Sequence, residues 1–114
     1  MGAVALACRE LGHDVSGSDA NVYPPMSDFL AASGIPYYEG FSPANIDSAK
    51  PDAIVVGNSV SRGNPELEYC LNERLELVSM PDIVRTHLIA RHTSVVITGT
   101  HGKTTTSSLT AWLL

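Results

Sequence analysis

Aromatic residues are scarce in this sequence, only 6% of 114 residues, so a core must be assembled from Val, Ile, Leu and Ala. Basic residues are scarce as well. Seven Lys and Arg stand against twelve Asp and Glu, for a net charge of −5. A nucleic-acid surface needs a basic excess or stripe to neutralise phosphates, and no run of like charge occurs, so nucleic acid is not an expected partner. Cysteine is limited to Cys8 and Cys70, each in a segment of helical pattern and neither with a Cys or His at metal-ligand spacing. They read as free core thiols in a reducing compartment. No apolar run approaches the roughly 18–20 residues of a membrane span. The short stretch Ala3 to Ala7 is followed at once by Arg9 and Glu10, unlike a secretory leader. The expectation is a cytoplasmic protein with no membrane contact. Repeats, low-complexity tracts and heptads are absent too.

What is present alternates between helix and strand patterns. Residues 2–12 carry Val4, Leu6, Ala7 and Leu11 at helical spacing, with Gly12 as a stop. His13 to Ser18 reads as a strand leading into Asp19. Pro24-Pro25 opens a second helix with Met26, Phe29, Leu30 and Ala31, ending near Gly34, and Ile35 to Tyr38 is a second strand. Ser42-Pro43 starts a helical turn. Ala53 to Gly57 is a continuous apolar run, the pattern of a parallel strand covered on both faces. Asn64-Pro65-Glu66 joins a capping side chain, a first-turn proline and an acid at the positive helix end, and Leu67, Cys70 and Leu71 give that helix a buried stripe. Leu75 to Val78 is a further strand, Pro81 to Ala90 a further helix, Ser94 to Thr98 a strand and Thr104 to Leu114 a helix. This alternation predicts a parallel α/β sheet.

The segment between the last strand and the last helix carries chemistry. A phosphate loop needs a strand that delivers the backbone to a sharp turn, glycines that let N–H groups approach phosphates, and a helix N-terminus. Gly99-Thr100-His101-Gly102-Lys103-Thr104 supplies these in order. Lys103 is placed to reach the β- and γ-phosphates of ATP, and the Thr104 hydroxyl to ligate Mg²⁺. The loop is shorter than the usual G-x-x-x-x-G-K-[ST] pattern, which requires glycine where Ile97 stands. Nearer the start, Asp19 sits just past a strand, where doubly wound folds place an acid that bonds a ribose or base. Asn58 and Ser59 follow the buried strand, on the other side of the same expected crevice. Asn64 reads as a helix cap, and His13, His87 and His92 as structural or surface residues.

Thr98-Gly99-Thr100-His101-Gly102-Lys103-Thr104-Thr105-Thr106 resembles the ATP loop of the Mur ligases, which build peptidoglycan precursors. In that family the loop follows an N-terminal Rossmann-like domain of about this size, so the resemblance spans essentially the whole chain. It implies a UDP-binding domain over 1–91 and the opening strand, loop and helix of a central ATP-binding domain over 92–114, with a boundary near Arg91-His92. It also implies an ATP- and Mg²⁺-dependent amide ligase working through an acyl phosphate. ATP is held at Gly99, Thr100, His101, Gly102, Lys103, Thr104 and Thr105, with Lys103 and His101 at the transferring phosphoryl group and Thr104 on the metal. Ser18, Asp19, Asn58 and Ser59 contact UDP. The segment Gly17 to Ser27, with Gly57-Asn58 and Arg62-Gly63-Asn64-Pro65, is most similar to the branch that joins recycled L-alanyl-γ-D-glutamyl-meso-diaminopimelate, the murein tripeptide, to UDP-N-acetylmuramate. The branch that adds free L-alanine is the alternative.

Departures from the family pattern set further expectations. The glycine-rich first turn is absent, with only Met1-Gly2 resembling its end, and no strand precedes the first helix. The chain stops within the helix after the loop, short of the downstream magnesium ligands, the modified lysine and the domain that brings the amine. The expectation is therefore a piece of a longer protein, lacking its first strand, inactive alone and needing the remainder of its own chain. A dinucleotide-binding oxidoreductase domain and a non-catalytic truncated product are the rival readings. The former lacks G-x-G-x-x-G.

Overall fold

Helix α1 (Gly2–Glu10) forms on the pattern set by Val4, Leu6 and Ala7 and ends at Leu11-Gly12, where Gly12 takes φ +93°. The computed structural model describes residues 1–90 and 92–114. The expected domain boundary near Arg91-His92 turns on Arg91, which lies outside the described residues. After α1 come β1 (Gly17–Asp19), α2 (Met26–Ala32), β2 (Tyr37–Glu39), α3 (Pro43–Ala49), β3 (Ile54–Val56), α4 (Pro65–Asn72) and β4 (Leu77–Ser79). Helix α5 runs over Met80–Ile83 and widens into π-helical turns over Val84–Ile89, and α6 is Lys103–Leu113.

Every pairing is parallel, as the alternation of elements requires. Gly17, Ser18 and Asp19 of β1 lie opposite Tyr37, Tyr38 and Glu39 of β2. Ile54, Val55 and Val56 of β3 lie opposite Leu77, Val78 and Ser79 of β4. The strands form two separate two-stranded sheets rather than one. Among the described residues each strand is hydrogen-bonded along one edge only. A second difference is that Ile54, Val55 and Val56 of the Ala53–Gly57 run, expected to be covered on both faces, are only half-buried. The strands are also shorter and later than their apolar patterns. His13 to Ser16 and Ile35-Pro36 precede the first paired residues, so β-propensity alone did not mark where pairing starts.

Ser94 to Thr98 corrects the expectation of a strand. The segment has no regular secondary structure and pairs with nothing among the described residues, and Val95 and Val96 are exposed. β-branched residues favour the extended backbone, but a strand exists only where a neighbour completes the ladder. Beyond it, α6 leaves Leu109, Trp112, Leu113 and Leu114 exposed, Trp112 at 82%. The radius of gyration of 15.8 Å accordingly exceeds the roughly 13 Å of a compact domain of this length.

The helices begin where their caps dictate. Ser42 accepts from the Ala44 N–H at 3.3 Å, and Asn64 accepts from the Glu66 and Leu67 N–H groups at 3.0 and 3.1 Å, each cap followed by a proline with no N–H to satisfy. Between α3 and α4 the Tyr69 hydroxyl donates to Asp47 Oδ1 at 2.6 Å, which pushes the tyrosine pKa up to about 12. Gly2 lets α1 approach α2: a Cβ there would lie 2.6 Å from Met26 Sδ. Arg9 donates from the end of α1 to the Gly34 carbonyl after α2. The buried apolar side chains among the described residues are Leu30, Ile35 and Cys70, of which Cys70 alone is fully buried. Both cysteines are free, as expected, and burial pushes each thiol up. His13 and His87 are not isolated, as their sequence neighbourhoods suggest. Their rings meet edge to face at 5.3 Å, joining the end of α1 to α5.

Candidate functional site

Parallel strands leave a crevice beyond their C-terminal ends, where the chain turns to the next helix. Here the cleft has a volume of about 440 Å³. Its walls are three segments: Asp19-Ala20 after β1, Phe41 after β2, and Ser59 to Asn64 between β3 and α4. Asp19 is exposed, and its Oδ1 accepts from the Asn21 N–H at 3.2 Å, a local turn that holds the carboxylate at the rim. Its backbone carbonyl accepts from the Gly40 N–H at 2.8 Å.

Opposite Asp19, the cleft carries a cation. Arg62 grips Glu68 with two bonds, Nε to Oε1 at 2.8 Å and Nη2 to Oε2 at 3.1 Å, and the Gly63 N–H donates to Oε1 at 2.9 Å. The Gly63 N–H, and then the Arg62 guanidinium, hold the Glu68 carboxyl below the usual range. Arg62 itself remains 80% exposed. A cleft with a carboxylate on one side and a braced guanidinium on the other suits a ligand with hydroxyl or ring N–H donors at one end and an anion at the other.

The four residues expected to contact UDP separate in the structure. Asp19 and Ser59 line the cleft. Asn58 shares the turn with Ser59 but is not part of the lining, and it is exposed. The Ser18 hydroxyl is committed elsewhere and donates to Glu66 Oε2. Glu66 and Arg62 carry no local signal of these positions. An acid two residues after a cap reads as a dipole complement, and nothing near it in sequence announces that it is 7% exposed.

The loop ahead of α6 is built differently. Gly102 sits at the helix N-cap with φ 74° and ψ 3°, a left-handed conformation that a side chain would strain. No side chain caps α6, so the first-turn N–H groups of Lys103, Thr104 and Thr105 have no side-chain acceptor. Lys103 folds back, its ammonium donating to the Gly99 carbonyl at 2.7 Å and the Thr100 carbonyl at 3.4 Å. Thr100, His101, Thr104 and Thr105 are exposed. Free N–H groups at the positive end of an eleven-residue helix, with a lysine at its first position, fit an anionic phosphate chain. Among the described residues no group of three or more His, Cys, Asp or Glu side chains could hold a metal ion. A cation here would be shared between the Thr104 hydroxyl and its ligand.

A parallel α/β chain with a cleft at its strand ends and a glycine-flanked, uncapped helix has the layout of nucleotide-binding domains. A family model described as Mur ligase family, catalytic domain, matches residues 1–92. The chain belongs to the Mur ligase family. It is 43% identical over all 114 residues to the UDP-N-acetylmuramate–L-alanyl-gamma-D-glutamyl-meso-2,6-diaminoheptandioate ligase of Haemophilus influenzae, and covers 25% of that protein. It is 41% identical, again over its whole length, to the UDP-N-acetylmuramate–L-alanine ligase of Lactobacillus johnsonii, covering 26% of it. The crystal structure of the UDP-N-acetylmuramate:L-alanyl-gamma-D-glutamyl-meso-diaminopimelate ligase from Neisseria meningitides superposes with a TM-score of 0.95 at 44% identity, over 99% of this chain and 35% of that one. The chain thus spans about a quarter of the length of the curated relatives it matches.

Proposed function

We propose that this chain serves an ATP-dependent amide ligase of peptidoglycan recycling in the cytoplasm, one that joins the murein tripeptide to UDP-N-acetylmuramate. The observation that carries the reading is the 0.95 superposition, at 44% identity, on a ligase whose name specifies that peptide. In this reading residues 1–91 bind the UDP end of the substrate and 92–114 open the ATP-binding domain. Asp19 accepts from the ribose or base at one end of the cleft, and Ser59 lies on the facing wall. Asn58 and Ser18 are the chain neighbours of the lining residues Ser59 and Asp19. Arg62, braced by Glu68, faces the substrate's anionic part.

The loop from Gly99 to Thr105 receives the ATP phosphates on the free N–H groups of α6. Lys103 leaves the Gly99 and Thr100 carbonyls and stabilises charge on the phosphoryl group as it passes to the substrate carboxylate. His101, exposed on the loop, lies beside the same phosphoryl group. Thr104 would hold Mg²⁺, which neutralises phosphate charge when bound. The acyl phosphate is then attacked by the peptide's amine, and phosphate departs from a tetrahedral intermediate. Relatives about four times as long supply the rest of that chemistry, so the 114-residue chain alone is expected to form no amide.

The test uses the uninterrupted protein that contains this chain, with ATP, Mg²⁺ and UDP-N-acetylmuramate. Free L-alanine is offered in one reaction and the tripeptide in another, and the UDP-linked product is identified by mass. The tripeptide product alone is expected. Product from L-alanine alone would move the protein to the branch of the Lactobacillus johnsonii relative, and NADH binding without ATP binding would remove the ligase reading altogether.

A further inference from the structure

Glu66 is buried, charged and not itself part of the cleft lining, yet its carboxylate reaches two of the three cleft walls and its helix carries the third. Ser18, next to Asp19 at the end of β1, donates its hydroxyl to Oε2. Asn45 Nδ2 donates to Oε1 at 2.7 Å and also to the Gly40 carbonyl at 3.1 Å, beside Phe41. The Ser42 N–H, on the other side of Phe41, approaches Oε1 at 3.4 Å. Glu66 itself lies in the first turn of α4, directly after the Ser59–Asn64 wall, where the helix dipole favours a negative charge. Only a carboxylate offers enough acceptor positions to take all three donors at once.

We infer that Glu66 is a positioning residue for the nucleotide cleft, setting the spacing of the Asp19, Phe41 and Ser59–Asn64 walls through Ser18, Asn45 and Ser42. A second consequence concerns Ser18. Its only hydroxyl proton is spent on Glu66, so Ser18 acts on the cleft by holding β1 rather than by donating to a ligand. The inference rests on the reading of the cleft as the UDP-N-acetylmuramate site.

The test is calorimetric titration of UDP-N-acetylmuramate into the uninterrupted protein that contains this chain and into its variants, well below their melting temperatures. Glu66→Gln keeps the shape but takes away the charged acceptor and leaves Ser18 at most a reversed, neutral hydrogen bond, and is expected to weaken binding about ten-fold, the low end of the range for a hydrogen bond to a charged group. Ser18→Ala removes one arm and weakens binding in the same direction, and Ser18→Thr, which restores the hydroxyl, recovers it. The double variant E66Q/S18A is expected to be no weaker than E66Q, because the two act as one unit. Folded E66Q and S18A that bind like the wild type, or effects that simply add, would overturn the inference while leaving the nucleotide reading intact. If E66Q does not fold, the Ser18 pair decides the question alone. An uninterrupted wild-type protein that fails to bind would overturn the nucleotide reading, and this inference with it.

Discussion

Replacing Lys103 with methionine is expected to lower ligase turnover by on the order of 10²–10³-fold, the usual consequence of removing one charged stabiliser of a transferring group. In the structure Lys103 also has a local partner set of its own. With its ammonium on the Gly99 and Thr100 carbonyls, it closes the loop on itself before any nucleotide arrives. Methionine retains the length and apolar stem but can neither close the loop nor meet a phosphate. Both the affinity for ATP and the rate of phosphoryl transfer should fall, whereas the affinity for UDP-N-acetylmuramate, bound by the cleft residues, should stay at the wild-type value. Arginine should not rescue fully, because its bulkier planar guanidinium is not the compact point charge that an ammonium places among the phosphates. Separate titrations of the two substrates, alongside turnover, check this.

The second large effect is on stability. Leu30 in α2 is one of three buried apolar side chains among the described residues, with Ile35 and Cys70. Its carbonyl also accepts from the Ile35 N–H at 3.0 Å, so the end of α2 and the approach to β2 share one anchor. Leu30→Ala should cost about 2–5 kcal/mol, the range of lost transfer energy plus a cavity. A domain of this size holds about 5–15 kcal/mol in all, so that loss is a large share. Denaturant melts of wild type and variant measure it, and a difference under about 1 kcal/mol would mean that the site collapses around the smaller side chain.

Local chemistry made much of the fold legible. Asn64-Pro65 and Ser42-Pro43 mark helix starts because a cap and a donor-free proline act within one turn, and both caps stand where the residues imply. Gly102 next to Lys103 marks the loop for the same reason. Strand partnership was not legible, because it depends on residues far away. The Ser94–Thr98 run has ample β-propensity and no ladder among the described residues, and the division into two sheets is written in no single segment. In the site, Asp19 and Ser59 follow from the rule that parallel strands end at the ligand. The Glu66 cluster did not, because Ser18 and Glu66 are 48 residues apart and meet only when β1 and α4 are in place. The His13–His87 pair was hidden in the same way.

The central claim is that the cleft beyond β1 and β3 is the UDP-N-acetylmuramate site of a Mur ligase. The most direct measurement follows the backbone amide resonances of these 114 residues in the isotopically labelled uninterrupted protein as UDP-N-acetylmuramate is added. Asp19, Ala20, Ser59, Arg62 and Gly63 should shift together and saturate, while Gly99 to Thr105 stay in place until ATP is added. Shifts from the UDP-sugar confined to Gly99–Thr105, or none at all, would contradict the account.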